Sequence, residues 1–291
     1  MIGERWYRPA GSAARDGWDV AISPHEAGWE FSGIEVATLV PGAASRFSTA
    51  SREVILVPLQ GGFVVHTDLG TQALEGRATV FDGPTDVLYV PRGVGVEVVA
   101  PEGGRFAIAS AEADEDRPQQ YVPKSDVPIE IRGAGQMTRR VQDFGNVGVV
   151  DAHRLIACEV VTPGGNWSSY PAHKHDTEGP VESELEEVYY FEVADGPAGP
   201  GKGYLRVSAS PGREIDVLAE VSTGDVVLVP YGWHGPAMAA PGFDLYQLNV
   251  MAGPGAHRRW GIVDDPSTAW LRDTWSGLSP DPRATPGGGR G

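Results

Sequence analysis

The 291-residue chain contains a single cysteine and no apolar run of about 18 residues, the length that a transmembrane helix needs. One cysteine excludes an internal disulfide and is typical of a reducing compartment. Because Cys158 lies in the apolar run 155–158, we predict a core residue and not a nucleophile. The first residues, MIGERWYRPAG, lack the apolar core of a signal peptide, so we expect a cytoplasmic protein.

Positive charge is also scarce. The chain has 23 lysines and arginines against 39 aspartates and glutamates, a formal net charge of −16. This balance argues against binding to nucleic acid, whose phosphates would be repelled. An anionic small molecule would need a local positive field that overrides the global one, and a bound divalent cation would supply such a field.

Glycine and proline are abundant, with 39 and 24 residues, and 41% of the chain is hydrophobic. This composition favours many short strands joined by turns, and therefore an all-β fold. Residues 86–93 (DVLYVPRG) repeat the strand-proline-glycine pattern of residues 225–232 (DVVLVPYG). The repetition predicts two β-rich halves, each with the length of an ordinary domain.

The predicted organisation is an N-terminal lobe over residues 1–111, a linker over 112–136, a metal-binding lobe over 137–262 and a partly disordered tail over 263–291. The first lobe has no His-x-His ahead of Glu53 and no histidine after Gly93. We therefore predict that Glu53 and His66 are structural and that this lobe has no metal site. From residue 279 the tail is too poor in apolar residues to order itself, and we expect it to be mobile.

The metal site is predicted from two histidines at alternate positions, His173 and His175. On a strand, residues i and i+2 point to the same face, so both imidazoles can converge on one point. Glu187 opens the strand-like run 187–191, and His234 follows a turn at 230–233. Three imidazole nitrogens and one carboxylate oxygen suit zinc, manganese or iron(II). An isolated His-x-His pair is often accidental, but three of only seven histidines share this arrangement.

These residues resemble the two motifs of the cupins: His-x-His, a downstream glutamate that opens a strand, and Gly-x5-Pro-x-Gly followed by histidine. Two spacings depart from the common pattern, since eleven residues separate His175 from Glu187 and one separates Gly232 from His234. The segments 163–176 (PGGNWSSYPAHKHD), 246–254 (YQLNVMAGP) and 13–18 (AARDGW) are more specific. They are similar to the 5-deoxy-glucuronate isomerase family of bacterial myo-inositol catabolism, over all but the C-terminal end of the chain.

The resemblance implies two cupin barrels of the double-stranded β-helix or jelly-roll type in one chain, a bicupin. It also implies one divalent metal ion and a small anionic sugar-acid substrate. The implied reaction is the aldose–ketose isomerisation of 5-deoxy-D-glucuronate to 5-dehydro-2-deoxy-D-gluconate, with the metal as a Lewis acid. Two routes stay open: proton transfer by a base, and a metal-assisted hydride shift that needs none.

Three residues are the predicted catalytic groups: Glu187, Tyr189 and Glu178. Tyr189 shares the strand parity of Glu187 and therefore its face. Glu178 is one of several acidic residues that follow His175, any of which could serve as the base. The alternative is that this acidic run is a solvated loop. Most aromatic residues on such strands are core, which is the alternative for Tyr189.

A substrate carboxylate calls for a cation, and arginine offers bidentate geometry. Arg139, Arg140 and Lys174 are the candidates, and we predict Arg140 and Lys174, together with Tyr246, as substrate-binding residues. Lys174 lies between the two histidines, so on a regular strand it points away from them. Tyr246 and Asn249 have opposite parity, so at most one of them faces the cavity.

Two other functions are alternatives, and the first of them needs a similar ligand set. One is an iron(II)-dependent cupin dioxygenase, which an assay with and without oxygen would separate from an isomerase. The other is a sugar-binding or regulatory cupin without turnover, which ranks last because no helix-turn-helix segment is apparent and the charge opposes DNA binding. We expect no nucleic-acid or membrane partner. Exposed edge strands are compatible with a homo-oligomer.

Overall fold

The computed structural model describes residues 5–285 and consists mainly of β-strands. The first part of the chain forms one short helix, α1 (Pro24–Ala27), and the strands β1 (Tyr7–Arg8), β2 (Val20–Ile22), β3 (Ser32–Leu39), β4 (Ala43–Ser48), β5 (Arg52–Thr67), β6 (Gly70–Arg77), β7 (Val87–Val90), β8 (Gly95–Ala100), β9 (Gly104–Glu112) and β10 (Gln120–Val122).

The second part ends in a short helix, α2 (Leu271–Thr274), and forms the strands β11 (Ile129–Arg132), β12 (Arg139–Gly145), β13 (Ile156–Thr162), β14 (Trp167–Ser168), β15 (His173–Lys174), β16 (Glu186–Val193), β17 (Gly203–Ser210), β18 (Arg213–Val221), β19 (Val226–Val229), β20 (Trp233–Ala239), β21 (Leu245–Ala252) and β22 (Val263–Asp264). Short 3₁₀ turns lie at Lys124–Asp126, Trp275–Gly277 and Pro282–Ala284. None of the helices in the described part is long and apolar enough to cross a membrane.

Each half of the chain is a curled antiparallel sandwich. In the first lobe, one layer follows the order β10-β7-β5-β9-β3-β2, and the long strand β5 bends so that it also pairs with β6 and β8, with β4 beside β8. In the second lobe the layers are β1-β19-β16-β21-β13-β12-β11 and β18-β17-β20-β15-β22, with β14 on β20. This is the predicted bicupin architecture.

The side-chain alternation along β5 explains how the lobes pack. Val54 and Leu56 belong to an apolar cluster formed within the first lobe. Ile55 and Val57, one position later in each case, belong to a larger cluster that also contains Val188 from the second lobe. Because neighbouring strand residues point to opposite faces, each lobe turns one face of a sheet inward and the other toward its partner lobe.

The chain crosses between the lobes more often than the predicted boundaries suggest. Strand β1, at the start of the chain, pairs with β19 and so extends a sheet of the second lobe. The predicted linker contains two strands, of which β10 pairs with β7 in the first lobe and β11 with β12 in the second. The two halves are therefore joined by exchanged strands as well as by apolar contact.

Two carboxylates, the buried Glu53 and the partly buried Glu186, join the lobes in a matching way. Glu53, at the start of β5, accepts hydrogen bonds from the backbone N–H groups of residues 153–155 at 2.7, 2.6 and 2.7 Å. Glu186, at the start of β16, accepts from the N–H groups of residues 30–32 at 2.8, 2.9 and 3.0 Å. Each carboxylate fixes the segment that leads into a strand of the other lobe, β13 in one case and β3 in the other. Glu53 thus has the structural role predicted for it.

Replacement of Glu53 by alanine is expected to lower the free energy of unfolding by about 2–4 kcal/mol, because three backbone donors and the Tyr89 hydroxyl lose a buried acceptor. Urea titration followed by circular dichroism measures the effect. Glu214→Ala, at an exposed position on β18, is the matched control and should change the midpoint little. Equal midpoints for the two variants would show that Glu53 does not join the lobes.

A buried ion pair also spans the two lobes. Arg77 of β6 donates to both oxygens of Glu159 on β13, with Nη1 at 3.0 Å from Oε2. Gln142 donates to Oε2 at 2.7 Å, and the Tyr246 hydroxyl donates to Oε1 at 2.5 Å. The Glu159 carboxylate is therefore fully hydrogen-bonded although its residue is 0% exposed.

The first residues of the predicted mobile tail are held against the second lobe. The Ser279 carbonyl accepts from the Gly135 N–H at 2.9 Å, and the Asp281 N–H donates to the Thr138 hydroxyl at 2.9 Å. Ala284 is 1% exposed. The expectation of mobility thus does not fit residues 279–285, which gain order from the lobe they cover. The rest of that prediction, residues 286–291, lies outside the described residues.

Candidate active site

Three histidines meet inside the second barrel. Ring nitrogens of His173, His175 and His234 all lie within 4.8 Å of one another. The ring centroids of His173 and His234 are 4.5 Å apart, and those of His175 and His234 are 4.6 Å apart. Each residue is at most 8% exposed. The sequence prediction of a convergent histidine group is met.

Strand pairing and one turn bring these side chains together. β15 pairs with β20 so that His173 lies directly opposite His234. The turn before β20 needs glycine at 232, because its φ is +99° and a Cβ would lie 2.6 Å from the Ser208 carbonyl oxygen. Asp176 connects the two segments, since one of its oxygens accepts from the Gly232 N–H at 3.0 Å and from the Ser210 hydroxyl at 2.6 Å.

The hydrogen bonds of the rings suit metal coordination. Nδ1 of His175 lies 3.1 Å from the Leu185 carbonyl oxygen, and Nδ1 of His234 lies 2.9 Å from the Gly232 carbonyl oxygen. A proton on Nδ1 in each ring leaves Nε2 as a lone-pair donor, the tautomer of a metal ligand. Nε2 of His234 is buried and has no hydrogen-bond partner within the described residues. The residues therefore fit a divalent ion.

Glu187 lies beside two of the rings. Its Oε2 is 3.0 Å from Nε2 of His175 and 3.2 Å from Nε2 of His234, while Oε1 accepts from the Asn249 amide at 2.5 Å. Burial alone would raise the pKa of this carboxyl, but its close contacts with the two imidazoles outweigh burial and lower the pKa. Burial and the neighbouring imidazoles lower the pKa of His173, so that ring stays neutral. Burial of His175 opposes protonation, but its contact with Glu187 outweighs burial and raises the pKa of that ring. The carboxylate and the three imidazoles thus lie together at one point, as the sequence predicts.

A cavity of ≈ 200 Å³ opens on this group. One side of its wall is the metal site, and the rest consists of apolar, aromatic and cationic groups from β11, β12, β13, β16, β21 and the C-terminal segment. The lining residues are His173, Tyr189, Asn249, Ser169, Val141, Val160, Trp260, Ile262, Arg132, Arg139 and Arg272. The wall thus contains an imidazole of the histidine group, a phenol, an amide and three guanidinium groups. A cavity of this size and lining suits a small anionic molecule.

Tyr189 occupies the position predicted for it, on the same face as Glu187 and in the cavity wall. Its ring centroid lies 6.2 Å from that of His234. Burial, followed by the charge of Glu187, raises the pKa of Tyr189, so its phenol keeps its proton at neutral pH and can donate a hydrogen bond. Asn249, and not Tyr246, faces the cavity from β21, in line with their opposite parity.

The predicted substrate-binding residues do not lie in the cavity wall. Arg140 is on the opposite face of β12 and donates to the Phe81 carbonyl at 3.2 Å. Lys174 is paired with Asp176 and Glu182, at 2.7 Å in each case. The Tyr246 hydroxyl donates to the buried Glu159, at the junction of the lobes. All three are committed to structural contacts, which corrects their predicted role.

The predicted base Glu178 also lies elsewhere. Its side chain is 52% exposed and contacts Arg259 at 3.4 Å and the Glu184 N–H at 3.2 Å. It lines a separate surface depression with His257 and Arg258. The solvated-loop alternative holds for Glu178, whereas Asp176 and Glu182 from the same acidic run are 2% and 9% exposed and balance Lys174.

The main groups that sequence reasoning missed are Arg132, Arg272 and Trp260. Arg132 lies at the end of β11 in the predicted linker, and Arg272 lies on α2 in the predicted tail. Neither segment has a periodic pattern that would direct a side chain toward the barrel. Position in the chain is a weaker indication than a periodic pattern: Arg132 lies in the segment before the predicted metal-binding lobe, and Arg272 lies in the segment after it.

Two β-barrels in one chain, with three convergent histidines buried in the second, define a bicupin with a candidate metal centre. The sequence matches the KduI/IolB family over residues 6–271, and the chain belongs to this family. It is 40% identical over 271 residues to 5-deoxy-glucuronate isomerase of Geobacillus kaustophilus, an alignment that covers 91% of this chain and 95% of that protein. It is 34% identical over 242 residues to 5-deoxy-glucuronate isomerase of Bacillus subtilis strain 168, covering 81% and 86%. The prediction that the chain is an isomerase is confirmed.

Solved structures agree with the fold. An IolB-like protein from Salmonella typhimurium superimposes with a TM-score of 0.84 at 31% identity, covering 92% of this chain and 99% of the other. Oxalate decarboxylase from Lactobacillus farciminis superimposes with a TM-score of 0.63 at 12% identity, covering 89% and 88%. The second likeness concerns the fold alone, and it confirms the predicted pair of cupin barrels.

Proposed function

We propose that the chain is a metal-dependent aldose–ketose isomerase that converts 5-deoxy-D-glucuronate to 5-dehydro-2-deoxy-D-gluconate. The observation that carries the metal requirement is the buried Nε2 of His234, which has no hydrogen bond within the described residues and lies among two further imidazoles and the Glu187 carboxylate. The substrate is supported by the names of the relatives and by a small cavity whose wall carries arginine side chains.

His173, His175, His234 and Glu187 would hold one divalent ion, with zinc or manganese favoured and iron(II) compatible with the same ligands. When bound, such an ion polarises a carbonyl oxygen and the neighbouring hydroxyl, which is the chemistry that isomerisation requires. Asn249 orients Glu187 through its 2.5 Å hydrogen bond. Because this hydrogen bond holds Oε1, the other carboxylate oxygen, Oε2, stays turned toward the imidazoles.

Tyr189 is the proposed acid–base partner on the cavity side. Its protonated phenol lies in the same cavity wall as His173, with its ring centroid 6.2 Å from that of His234, and can donate a hydrogen bond to a substrate oxygen. Ser169 lines the same wall and offers a hydroxyl group to the cavity. The apolar side chains of Val141 and Val160 limit the water that enters, which strengthens polar contacts with the substrate.

Exhaustive chelation is expected to abolish turnover of 5-deoxy-D-glucuronate, and added zinc or manganese is expected to restore it. Elemental analysis of the purified protein, paired with a product assay in air and under anaerobic conditions, measures both parts. Turnover that persists at full rate in metal-free protein would refute the metal requirement. Turnover that depends on oxygen would instead identify an iron(II) dioxygenase.

A further inference from the structure

Arg139 is a buried cation without a counter-ion. The residue is 6% exposed and lies on β12, with its side chain in the cavity wall. Within residues 5–285 it makes no ion pair with a carboxylate, and its hydrogen bond is to the Met137 carbonyl at 3.2 Å. Its guanidinium also lies 5.6 Å from the Trp275 ring centroid. Burying an unpaired charge costs several kcal/mol, so a group like this calls for a ligand of opposite sign.

The two neighbouring arginines differ from Arg139 because each has a carboxylate of its own. Arg132 pairs with Glu130 at 2.5 Å, and Arg272 pairs with Asp264, with Nη2 at 2.7 Å from Oδ1. These pairs neutralise two of the three guanidinium groups in the wall. The excess positive charge of the cavity is therefore concentrated on Arg139.

The backbone also makes room for this side chain. Gly133 precedes it on the neighbouring segment with a φ of +81°, and a Cβ at that position would lie 2.9 Å from Nη1 of Arg139. The same Cβ would lie 2.1 Å from the Met137 carbonyl oxygen, the hydrogen-bond acceptor of Arg139, so a side chain at 133 would disturb this backbone contact. The position of the charge is thus set by a glycine turn, by the Trp275 ring and by the strand parity of β12.

We propose that Arg139 binds the carboxylate of a sugar-acid substrate and sets the preference of the cavity for acids over neutral sugars. The proposal rests on the proposed function for the identity of the substrate, but not for the presence of the anion site. Arg139 and His173 line one cavity of ≈ 200 Å³, so a small molecule can contact both the guanidinium and the metal-site side. Guanidinium and carboxylate match in bidentate geometry, which lysine does not reproduce.

The test compares the metal-loaded wild type with Arg139→Gln, Arg139→Lys and the control Arg46→Gln. Arg46 lies in the first lobe with a side chain that is 75% exposed, so its loss removes the same charge without touching the cavity. Calorimetric titration measures binding of D-gluconate and of neutral D-glucitol to each protein. Elemental analysis verifies that all four proteins carry equal metal.

For the wild type and Arg46→Gln we expect a clear preference for gluconate over glucitol. In Arg139→Gln that preference should fall on the order of 10- to 100-fold, with glucitol binding unchanged, since one charge-assisted contact is lost. The gluconate preference of Arg139→Lys should lie between those of the wild type and Arg139→Gln, because lysine keeps the positive charge but lacks the bidentate geometry of a guanidinium. The melting temperature of Arg139→Gln should not fall below that of the wild type, because an unpaired buried charge has been removed.

An unchanged gluconate preference in Arg139→Gln would overturn the proposal, as would a wild type that binds both probes equally. A marked loss of thermal stability in Arg139→Gln would also overturn it, because that would identify a structural arginine. Turnover of 5-deoxy-D-glucuronate is measured separately in the wild type. Absent turnover would refute the proposed function while leaving the gluconate comparison intact.

Discussion

Replacement of His234 by alanine is expected to remove the bound metal and to lower kcat/KM on the order of 1,000-fold, equivalent to about 4 kcal/mol of transition-state stabilisation. His234 is central to the group, since its ring lies 4.5 and 4.6 Å from the other two imidazoles and 3.2 Å from Glu187. Without this imidazole, only three of the four proposed metal ligands remain, namely two imidazoles and one carboxylate. Metal content by elemental analysis and turnover kinetics measure the two effects together.

His66→Ala is the matched control for this experiment. His66 is an exposed histidine of the first lobe whose Nδ1 lies 2.9 Å from the Thr71 hydroxyl oxygen. Its removal should leave metal content and kcat/KM within twofold of the wild type, roughly 0.4 kcal/mol. A His234→Ala protein that retains both its metal and its turnover would place the catalytic centre elsewhere in the chain.

The second large effect concerns stability. Arg77→Ala is expected to lower the free energy of unfolding by about 3–5 kcal/mol, because it leaves the Glu159 carboxylate buried between the lobes without its cation. Glu159 is 0% exposed, and its remaining partners, Gln142 and Tyr246, are neutral donors. Urea titration of wild type and variant measures the loss. Arg46→Ala, which breaks an exposed pair with Glu97, should cost no more than about 1 kcal/mol.

A double substitution separates the cost of the orphaned charge from the value of the pair. Arg77→Met combined with Glu159→Leu removes both charges and should recover most of the stability that Arg77→Ala loses. If the double variant is instead as unstable as the single variant, the pair itself, and not the unpaired carboxylate, would be what the fold requires.

Much of the fold follows from patterns that the sequence displays openly. The repeated strand-proline-glycine segments predict two similar halves, and β7 and β19 occupy the same place in each lobe. The halves differ in what their interiors contain. The cluster within the first lobe consists of apolar side chains such as Val54, Leu56 and Phe63, while the second lobe has Glu187 one position after the lobe-joining Glu186. Alternation also predicted the inward position of Tyr189.

The crossing strands were not predictable in the same way. β1 has two residues, too few for a periodic pattern, and its pairing with β19 depends on the assembled lobe. Similarly, the order of residues 279–285 comes from contacts with Gly135 and Thr138 and not from local propensity. Tertiary contacts, which a linear pattern does not contain, decide both segments.

The substrate end of the site shows a second limit. Arg139 and Arg140 are adjacent and chemically identical, so composition cannot say which one faces the cavity. Strand parity decides it: Arg139 and Val141 line the cavity, while Arg140 points toward the first lobe. Lys174 was correctly expected to point away from the histidines. Its pairing with Asp176 and Glu182 explains why this buried cation is not available to a substrate.

X-ray absorption spectroscopy of the zinc- or manganese-loaded protein tests the central claim most directly. The account predicts a coordination sphere of nitrogen and oxygen only, with the multiple-scattering signal of three imidazoles, from His173, His175 and His234. A spectrum with one imidazole or none, or with a sulfur ligand from Cys158, would contradict it.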